Sequence, residues 1–170
     1  MATEIIYSHK EEVKILENKI IIPFVTIDDS RVPVKKFPLL FDTGAFITLV
    51  RKDRAERNNY KIIEENGCII SGFSEKGLVC DLRKIPTVVF CGFRMDDVLV
   101  ATPHDDGVPV TEVLGMNILE NFSIGLDFAM AEIYVNIRRG FVSQKPRYQC
   151  GSVSLFQDKL TWVKSQEGKK

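Results

Sequence analysis

The feature that most constrains this chain is a short apolar run that ends in a carboxylate and a glycine. Residues 37–41 read Phe-Pro-Leu-Leu-Phe, and the tetrapeptide Asp-Thr-Gly-Ala follows at residues 42–45. An apolar run of this length is typical of a buried strand, and Gly44 allows the backbone to turn sharply after it. The run therefore predicts that Asp42 lies at the end of a buried strand. The tetrapeptide occurs once in the chain.

The composition suits one globular domain with extensions at its ends. The chain has 170 residues, of which 45% are hydrophobic, so it can bury a sizeable core. Its 23 Lys and Arg residues balance 23 Asp and Glu residues, and without a basic excess we expect no nucleic acid partner. Residues 1–12 lack the apolar core of a signal peptide, and no segment approaches the roughly 20 apolar residues of a membrane helix. We therefore expect a cytoplasmic protein with no membrane partner.

The cysteines and histidines do not form the pattern of a metal site. The four cysteines are Cys68, Cys80, Cys91 and Cys150. They have neither the density of a secreted disulfide scaffold nor the paired short spacings of a zinc site. Because the chain also has only two histidines, no bound metal is expected.

Most of the chain reads as strands separated by turns, which predicts a mainly antiparallel all-β domain. Strands are predicted at residues 19–27, 34–41, 47–50, 85–90 and 98–101, with residues 91–97 as a connection. The charged segment 51–57 predicts a solvated turn or a short helix. Two hairpins are also predicted: residues 68–71 pair with 78–80 around a glycine-bounded tip, and residues 123–127 pair with 131–137.

Two segments change to helical spacing. After Gly115, apolar residues recur at Met116, Leu119 and Phe122, so a short helix is predicted there. Near the C-terminus, a capping box accompanies an apolar stripe with i, i+4 and i+7 spacing, which predicts a short amphipathic helix. The box is Ser154 with Gln157, and the stripe is Phe156, Leu160 and Val163.

The order of these pieces resembles the retropepsin-like aspartic proteases, the single-domain relatives of retroviral proteases. The resemblance rests on Leu40-Phe41-Asp42-Thr43-Gly44-Ala45, on the glycine-bounded hairpin, and on Val113-Leu114-Gly115 before a short helix. It implies a retropepsin-like acid-protease barrel over residues 19–137. Residues 1–18 and 138–170 would then be an N-terminal and a C-terminal extension.

The resemblance implies an aspartic endopeptidase that works as a homodimer and needs no cofactor. Asp42 from each protomer would flank a water, one carboxylate acting as base and the other as acid. Because the motif occurs once, a second copy of the chain would supply the second carboxylate. The implied supporting residues are Thr43, Gly44, Ala45, Val113, Leu114 and Gly115. The hairpin would be a flap over an extended peptide substrate, with Ser71, Gly72, Phe73, Ser74 and Gly77 as the substrate-binding residues.

Other interpretations of Asp42 remain open from the residues alone. An Asp at a strand end commonly caps a turn, because its oxygens accept hydrogen bonds from nearby backbone N–H groups. A nucleophilic Asp for phosphoryl transfer would usually have a second acid two positions on, where this chain has Gly44. A protein with the same fold and no catalytic activity would instead bind peptides or serve in assembly.

The flap also contains a symmetric pair of cysteines. Cys68 and Cys80 are equally far from Ser74 in sequence, so they would face each other across the hairpin. A disulfide between them would stiffen the flap. Two reduced thiols are the favoured expectation in a reducing cytoplasm.

Overall fold

The structure is a computed structural model that describes residues 9–27, 35–72, 75–137, 148–150, 153–155 and 160–162. The strands are β1 (His9–Glu12), β2 (Lys14–Leu16), β3 (Lys19–Ile27), β4 (Lys35–Phe41), β5 (Lys61–Ile70), β6 (Leu78–Phe90), β7 (Phe93–Pro103), β8 (Val113–Leu114), β9 (Phe122–Asp127), β10 (Glu132–Ile137), β11 (Tyr148–Cys150), β12 (Val153–Leu155) and β13 (Leu160–Trp162). The two helices are α1 (Lys52–Arg57) and α2 (Met116–Leu119). Within these ranges, no helix is long and apolar enough to cross a membrane.

Most strands belong to one large sheet and one small sheet. The large sheet has the order β13-β7-β6-β3-β4-β8, with β2 pairing with β3 and β5 pairing with β6. The small sheet has the order β1-β10-β9. All of these pairs are antiparallel except β4 with β8. The predicted all-β, mainly antiparallel fold with a short helix after Gly115 is confirmed.

Two apolar clusters form the interior. The larger one joins the two sheets, because Phe90 and Phe93 from the large sheet pack on Phe122 at the start of β9, each with ring centroids 5.3 Å apart. The smaller one lies beside the loop that follows β4. Its buried members are Ile47, Leu49, Cys68, Cys80, Leu82, Ala101 and Val113.

The long hairpin of β6 and β7 corrects one prediction. Residues 91–97 were expected to connect two strands, but β7 already begins at Phe93. Cys91 and Gly92 have positive φ angles of 47° and 79°, which suits a tight two-residue turn. Beyond the turn, Phe93 and Met95 are buried. Core side chains therefore recur at every second position at the start of this strand, as the period of a strand requires.

The ends of the chain supply further strands. Although residues 1–18 were expected to precede the first strand, β1 pairs with β10 and β2 pairs with β3. The predicted C-terminal helix is wrong where it is described, because Val153–Leu155 and Leu160–Trp162 are strands. Leu160–Trp162 forms a strand because the edge of β7 offers it unpaired backbone groups. Phe156, Gln157 and Val163 lie outside the described residues.

The loop after β4 is held at both of its ends by β8. Leu40 and Phe41 pair in parallel with Val113 and Leu114. On the far side of the loop, Leu49 forms an antiparallel bridge to Val113. The chain therefore enters and leaves the loop of residues 42–48 against the same short strand, which confines the loop to one position.

Gly115 approaches this loop so closely that no side chain fits. A Cβ atom on Gly115 would lie 2.4 Å from the carbonyl carbon of Ile47, 2.6 Å from the Ile47 oxygen and 2.7 Å from the Thr48 nitrogen. The φ angle of Gly115 is −97°, which any residue adopts. The glycine is therefore required by close packing against backbone and not by its own conformation.

We predict that Gly115→Ala lowers the free energy of unfolding by about 2 kcal/mol or more, because the new methyl group must push the loop backbone away. Chemical denaturation followed by circular dichroism measures the change. Gly67→Ala is the matched control, since the atoms nearest to its Cβ would belong to the Glu64 side chain, at 3.0–3.2 Å, a tight contact that needs a much smaller shift than the backbone contacts of Gly115. A loss for Gly115→Ala no larger than that for Gly67→Ala would contradict the packing argument.

Candidate active site

Asp42 lies half-buried at the end of β4, where hydrogen bonds within the turn fix its direction. Its Oδ1 accepts a hydrogen bond of 2.8 Å from the Gly44 backbone nitrogen. Its own backbone nitrogen donates to the Leu114 oxygen at 3.2 Å, and the Ala45 nitrogen donates to the Asp42 oxygen at 3.3 Å. Asp42 therefore caps its turn as any Asp in this place would. This capping bond also aims the carboxylate.

The carboxylate opens into a pocket of about 230 Å³. The pocket is lined by Asp42, Gly44, Ala45, Phe46, Ile47, Leu49, Ile70, Ser71 and Val113. The lining combines the loop after β4, the start of β8, and the end of β5 where the β5–β6 hairpin begins. Among the described residues, Asp42 is the only titratable group in this lining. Elements far apart in the sequence thus converge on one carboxylate.

The predicted site residues occupy different places around this pocket. The structure brings Gly44, Ala45, Val113 and Ser71 together with Asp42 in the lining. Thr43 is exposed in the turn, and Leu114 is buried behind the loop. Gly72 and Gly77 flank the hairpin tip with φ angles of 97° and 76°. Phe73 and Ser74 lie outside the described residues.

The N-terminus of α2 is docked onto the loop. The Met116 nitrogen donates to the Ala45 oxygen at 2.7 Å, and the Asn117 nitrogen donates to the Phe46 oxygen at 3.1 Å. The first N–H groups of a helix have no partner within the helix, so the loop carbonyls satisfy them. The position of the loop that carries Asp42 is thereby set by backbone contacts with α2.

Two residues that sequence reasoning missed complete this support. Thr48 donates to Asn117 Oδ1 from both its backbone nitrogen, at 2.8 Å, and its hydroxyl, at 3.0 Å. The Thr48 hydroxyl accepts a 3.0 Å bond from the Gly115 nitrogen, and Asn117 Nδ2 donates to the Leu99 oxygen at 2.8 Å. Both side chains are buried. The only sequence signal for them is that each is a single polar residue between apolar neighbours.

The β5–β6 hairpin presents opposite faces to the pocket and to solvent. Ile70 pairs with Leu78, and Cys68 pairs with Cys80, and all four side chains pack in or against the smaller apolar cluster. Between them, Ile69 and Val79 point outward and are 61% and 40% exposed. The glycine-bounded hairpin predicted from the sequence is confirmed. Its inner face lies against the residues that line the Asp42 pocket.

A buried carboxylate fastens the base of this hairpin. Asp81 Oδ1 accepts a 2.8 Å hydrogen bond from the Asn66 nitrogen and lies 2.8 Å from His104 Nδ1. Asn66 has a positive φ angle of 50° and lies in an irregular part of β5. The Asp81 carboxylate therefore replaces ladder hydrogen bonds at the point where β5 departs from regular pairing with β6.

Charged groups near the site have structural partners. Arg54 donates two hydrogen bonds of 2.8 Å to Glu112, the residue before β8, and this bonding raises the pKa of the Arg54 guanidinium. The pair anchors α1, the short helix allowed for by the sequence, beside β8. Within the described ranges, no group of three His, Cys, Asp or Glu residues is placed to hold a metal ion.

Comparisons with known proteins identify the fold. No protein-family model matches the sequence, and no curated protein matches it at a significant level. Among solved structures, the chain is similar to a retropepsin-like aspartic protease from Rickettsia conorii, with a TM-score of 0.52, 17% identity, and coverage of 79% of this chain and 97% of that one. An EIAV protease complexed with the inhibitor HBY-793 matches with a TM-score of 0.46, 22% identity, and coverage of 62% and 88%. The likeness to the Rickettsia conorii structure shows that the chain has the retropepsin-like fold.

Proposed function

We propose that this protein is an aspartic endopeptidase that acts as a homodimer and hydrolyses peptide bonds through a water activated by Asp42 of each protomer. The observation that carries the proposal is that Asp42 is the one titratable group, among the described residues, in the lining of a pocket to which the β5–β6 hairpin contributes Ile70 and Ser71. The retropepsin-like fold adds support, because it is the fold of a structure described as an aspartic protease.

The need for a second copy follows from the chemistry. Hydrolysis without a metal or a covalent intermediate requires one group to take a proton from water and another to give a proton to the leaving nitrogen. Asp42 supplies one carboxylate to the pocket. Two carboxylates held close together cannot both ionise, so they share a proton and differ in role. A second protomer related by two-fold symmetry would supply the partner carboxylate.

In the proposed reaction, the ionised carboxylate takes a proton from the water as the water oxygen attacks the scissile carbonyl. The other, protonated carboxyl gives its proton to the carbonyl oxygen, which yields a tetrahedral diol. When the diol collapses and the C–N bond breaks, the first carboxyl gives the proton taken from water to the leaving nitrogen, and the second carboxyl takes a proton back from a diol hydroxyl. Both carboxyl groups return to their starting states over the cycle. Gly44 contributes the N–H that holds Asp42 Oδ1, and no cofactor takes part.

The edge of β9 is the surface on which we place the second copy. β9 pairs with β10 along its whole length, and no described strand pairs with its other edge. An open strand edge presents unpaired backbone groups to another chain. Pairing of β9 with the β9 of a second copy would join two small sheets across a two-fold axis. β9 begins three residues after the end of α2, the helix whose N-terminus holds the Asp42 loop. The proposed contact between the two copies is therefore close in sequence to the support of the catalytic loop.

The substrate that fits this arrangement is an extended peptide. A strand-like ligand forms backbone hydrogen bonds with a hairpin above it and a loop below it, and its side chains enter pockets on alternate sides. The Asp42 pocket is mainly apolar on its loop side, where Ala45, Phe46 and Ile47 line it. We therefore propose that an apolar side chain of the substrate lies next to the bond that is cut.

We predict that Asp42→Asn lowers peptide hydrolysis by about 10²–10⁴-fold, because the amide cannot exchange a proton with water. The fold should persist, since an Asn oxygen can still accept the hydrogen bond from Gly44. Cleavage of a mixed peptide library, read by mass spectrometry from acidic to neutral pH, measures the change.

Asp53→Asn is the matched control, because this carboxylate is on α1 with its side chain 59% exposed. Undiminished cleavage by Asp42→Asn would contradict the proposal, and a folded wild-type dimer without cleavage would favour a peptide-binding module.

Mixing protomers tests the dimer directly. When wild-type chain is refolded with a roughly tenfold excess of Asp42→Asn chain, only about one wild-type protomer in ten finds a wild-type partner. Activity per wild-type chain should therefore fall about tenfold, because each mixed dimer has one carboxylate. The same excess of Asp53→Asn chain should raise total activity instead. Activity per wild-type chain that stays unchanged in the Asp42→Asn mixture would show that one protomer suffices.

A further inference from the structure

We propose that Cys68 and Cys80 form a redox modification site, in which a small peroxide converts the two thiols into a disulfide across the β5–β6 hairpin. In the structure both are thiols. They are direct partners in the β5–β6 ladder, so their side chains leave the sheet on the same face. That face is the inner one, since both residues belong to the smaller apolar cluster.

The spacing of a strand pair suits a disulfide. Residues directly opposite each other in an antiparallel ladder have Cα atoms about 4.5–5.5 Å apart. Disulfides span Cα separations of about 4.4–6.8 Å. The Cα spacing of such a pair therefore lies within the range that a disulfide spans. Cys91, by contrast, lies in the turn between β6 and β7, away from the Cys68–Cys80 ladder pair.

The pair also lies at a mechanically sensitive point. Between Glu64 and Cys68 the register of β5 shifts against β6, so Cys68 and Cys80 are the first partners beyond the irregular stretch. Asp81, next to Cys80, fastens this stretch through its bond to Asn66. Opening of the hairpin at the irregular stretch would expose Cys68, because it is the first residue of β5 in regular pairing beyond that stretch. Local opening of this kind gives a buried thiol access to small reagents.

The reaction balances with one peroxide. The thiolate of Cys68 attacks one peroxide oxygen, the O–O bond breaks, and the departing hydroxide takes up a proton to become water, which leaves a sulfenic acid. The sulfur of Cys80 then attacks the Cys68 sulfur, the S–O bond breaks, and the departing hydroxide takes the Cys80 proton to become a second water. The two sulfurs are oxidised by two electrons in total, and the peroxide is reduced to two waters.

The test uses the full chain, reduced, treated with hydrogen peroxide and then alkylated. Wild-type protein should lose two hydrogens, about 2 Da, in a peptide pair that links Cys68 to Cys80. Cys91 should remain open to alkylation after denaturation, and a thiol reductant should reverse the change. Cys91→Ala should behave as wild type, whereas Cys68→Ala and Cys80→Ala should form no such link. If one of these variants fails to fold, the peptide map of the oxidised wild-type protein still shows whether Cys68 is linked to Cys80.

A second readout measures the effect on the hairpin. Backbone amides between the two cysteines should exchange with deuterium about tenfold more slowly in the oxidised protein, because the bridge prevents the strands from parting. Alkylation of both thiols after peroxide treatment would overturn the proposal. So would linkage of either cysteine to Cys91 or Cys150, and so would unchanged exchange in the linked protein.

An effect on activity rests on the proposed peptidase function. If the hairpin must open to admit an extended peptide, the oxidised protein should show a severalfold lower kcat/KM that reductant restores, with Cys91→Ala as the unaffected control. This outcome is separable from the redox site itself. A protein that forms the Cys68–Cys80 link and cleaves no peptide in either state would contradict the peptidase proposal and leave the modification site standing.

Discussion

The packing of Gly115 against the backbone of Ile47 and Thr48 is the constraint on which the site depends. At this point two segments of main chain approach to a distance that excludes even a methyl group. The approach lets the first N–H groups of α2 reach the carbonyls of Ala45 and Phe46. Because these contacts join backbone to backbone, they hold the Asp42 loop in place with little dependence on side-chain rotamers. The result is a rigid support beneath the Asp42 carboxylate, formed by residues 45–48 and 115–117, which we call the floor.

The polar residues inside this floor make the arrangement specific. A buried hydroxyl or amide costs free energy unless it is hydrogen-bonded, and the bonds of Thr48 and Asn117 to each other, to Gly115 and to Leu99 meet that requirement. Any shift of the loop relative to α2 would leave several of these groups unpaired. The network thus favours one alignment among the many that apolar packing alone would allow.

The floor and the hairpin above it are built on different principles. Backbone contacts, buried hydrogen bonds and a parallel strand pair immobilise the floor, whereas the hairpin tip continues beyond an irregular stretch of β5 that Asp81 holds. Under the proposed function, a hairpin that opened at this stretch would admit an extended peptide to a carboxylate held in a fixed position.

Local features of the sequence determined several elements of this fold. The apolar run before Asp42, the glycines of the hairpin and the spacing after Gly115 act within a few residues, and each predicted its element correctly. The tertiary structure alone decided the pairing of β1 with β10, the addition of β13 to β7 and the meeting of Thr48 with Asn117. These depend on free strand edges and on partners far apart in the chain. The C-terminal segment was misassigned for this reason, because local pattern gives way when a distant strand edge offers better pairing. Residues 91–97 were misassigned because the tight turn at Cys91 and Gly92, which pairs β7 with the end of β6, was not recognised from the sequence.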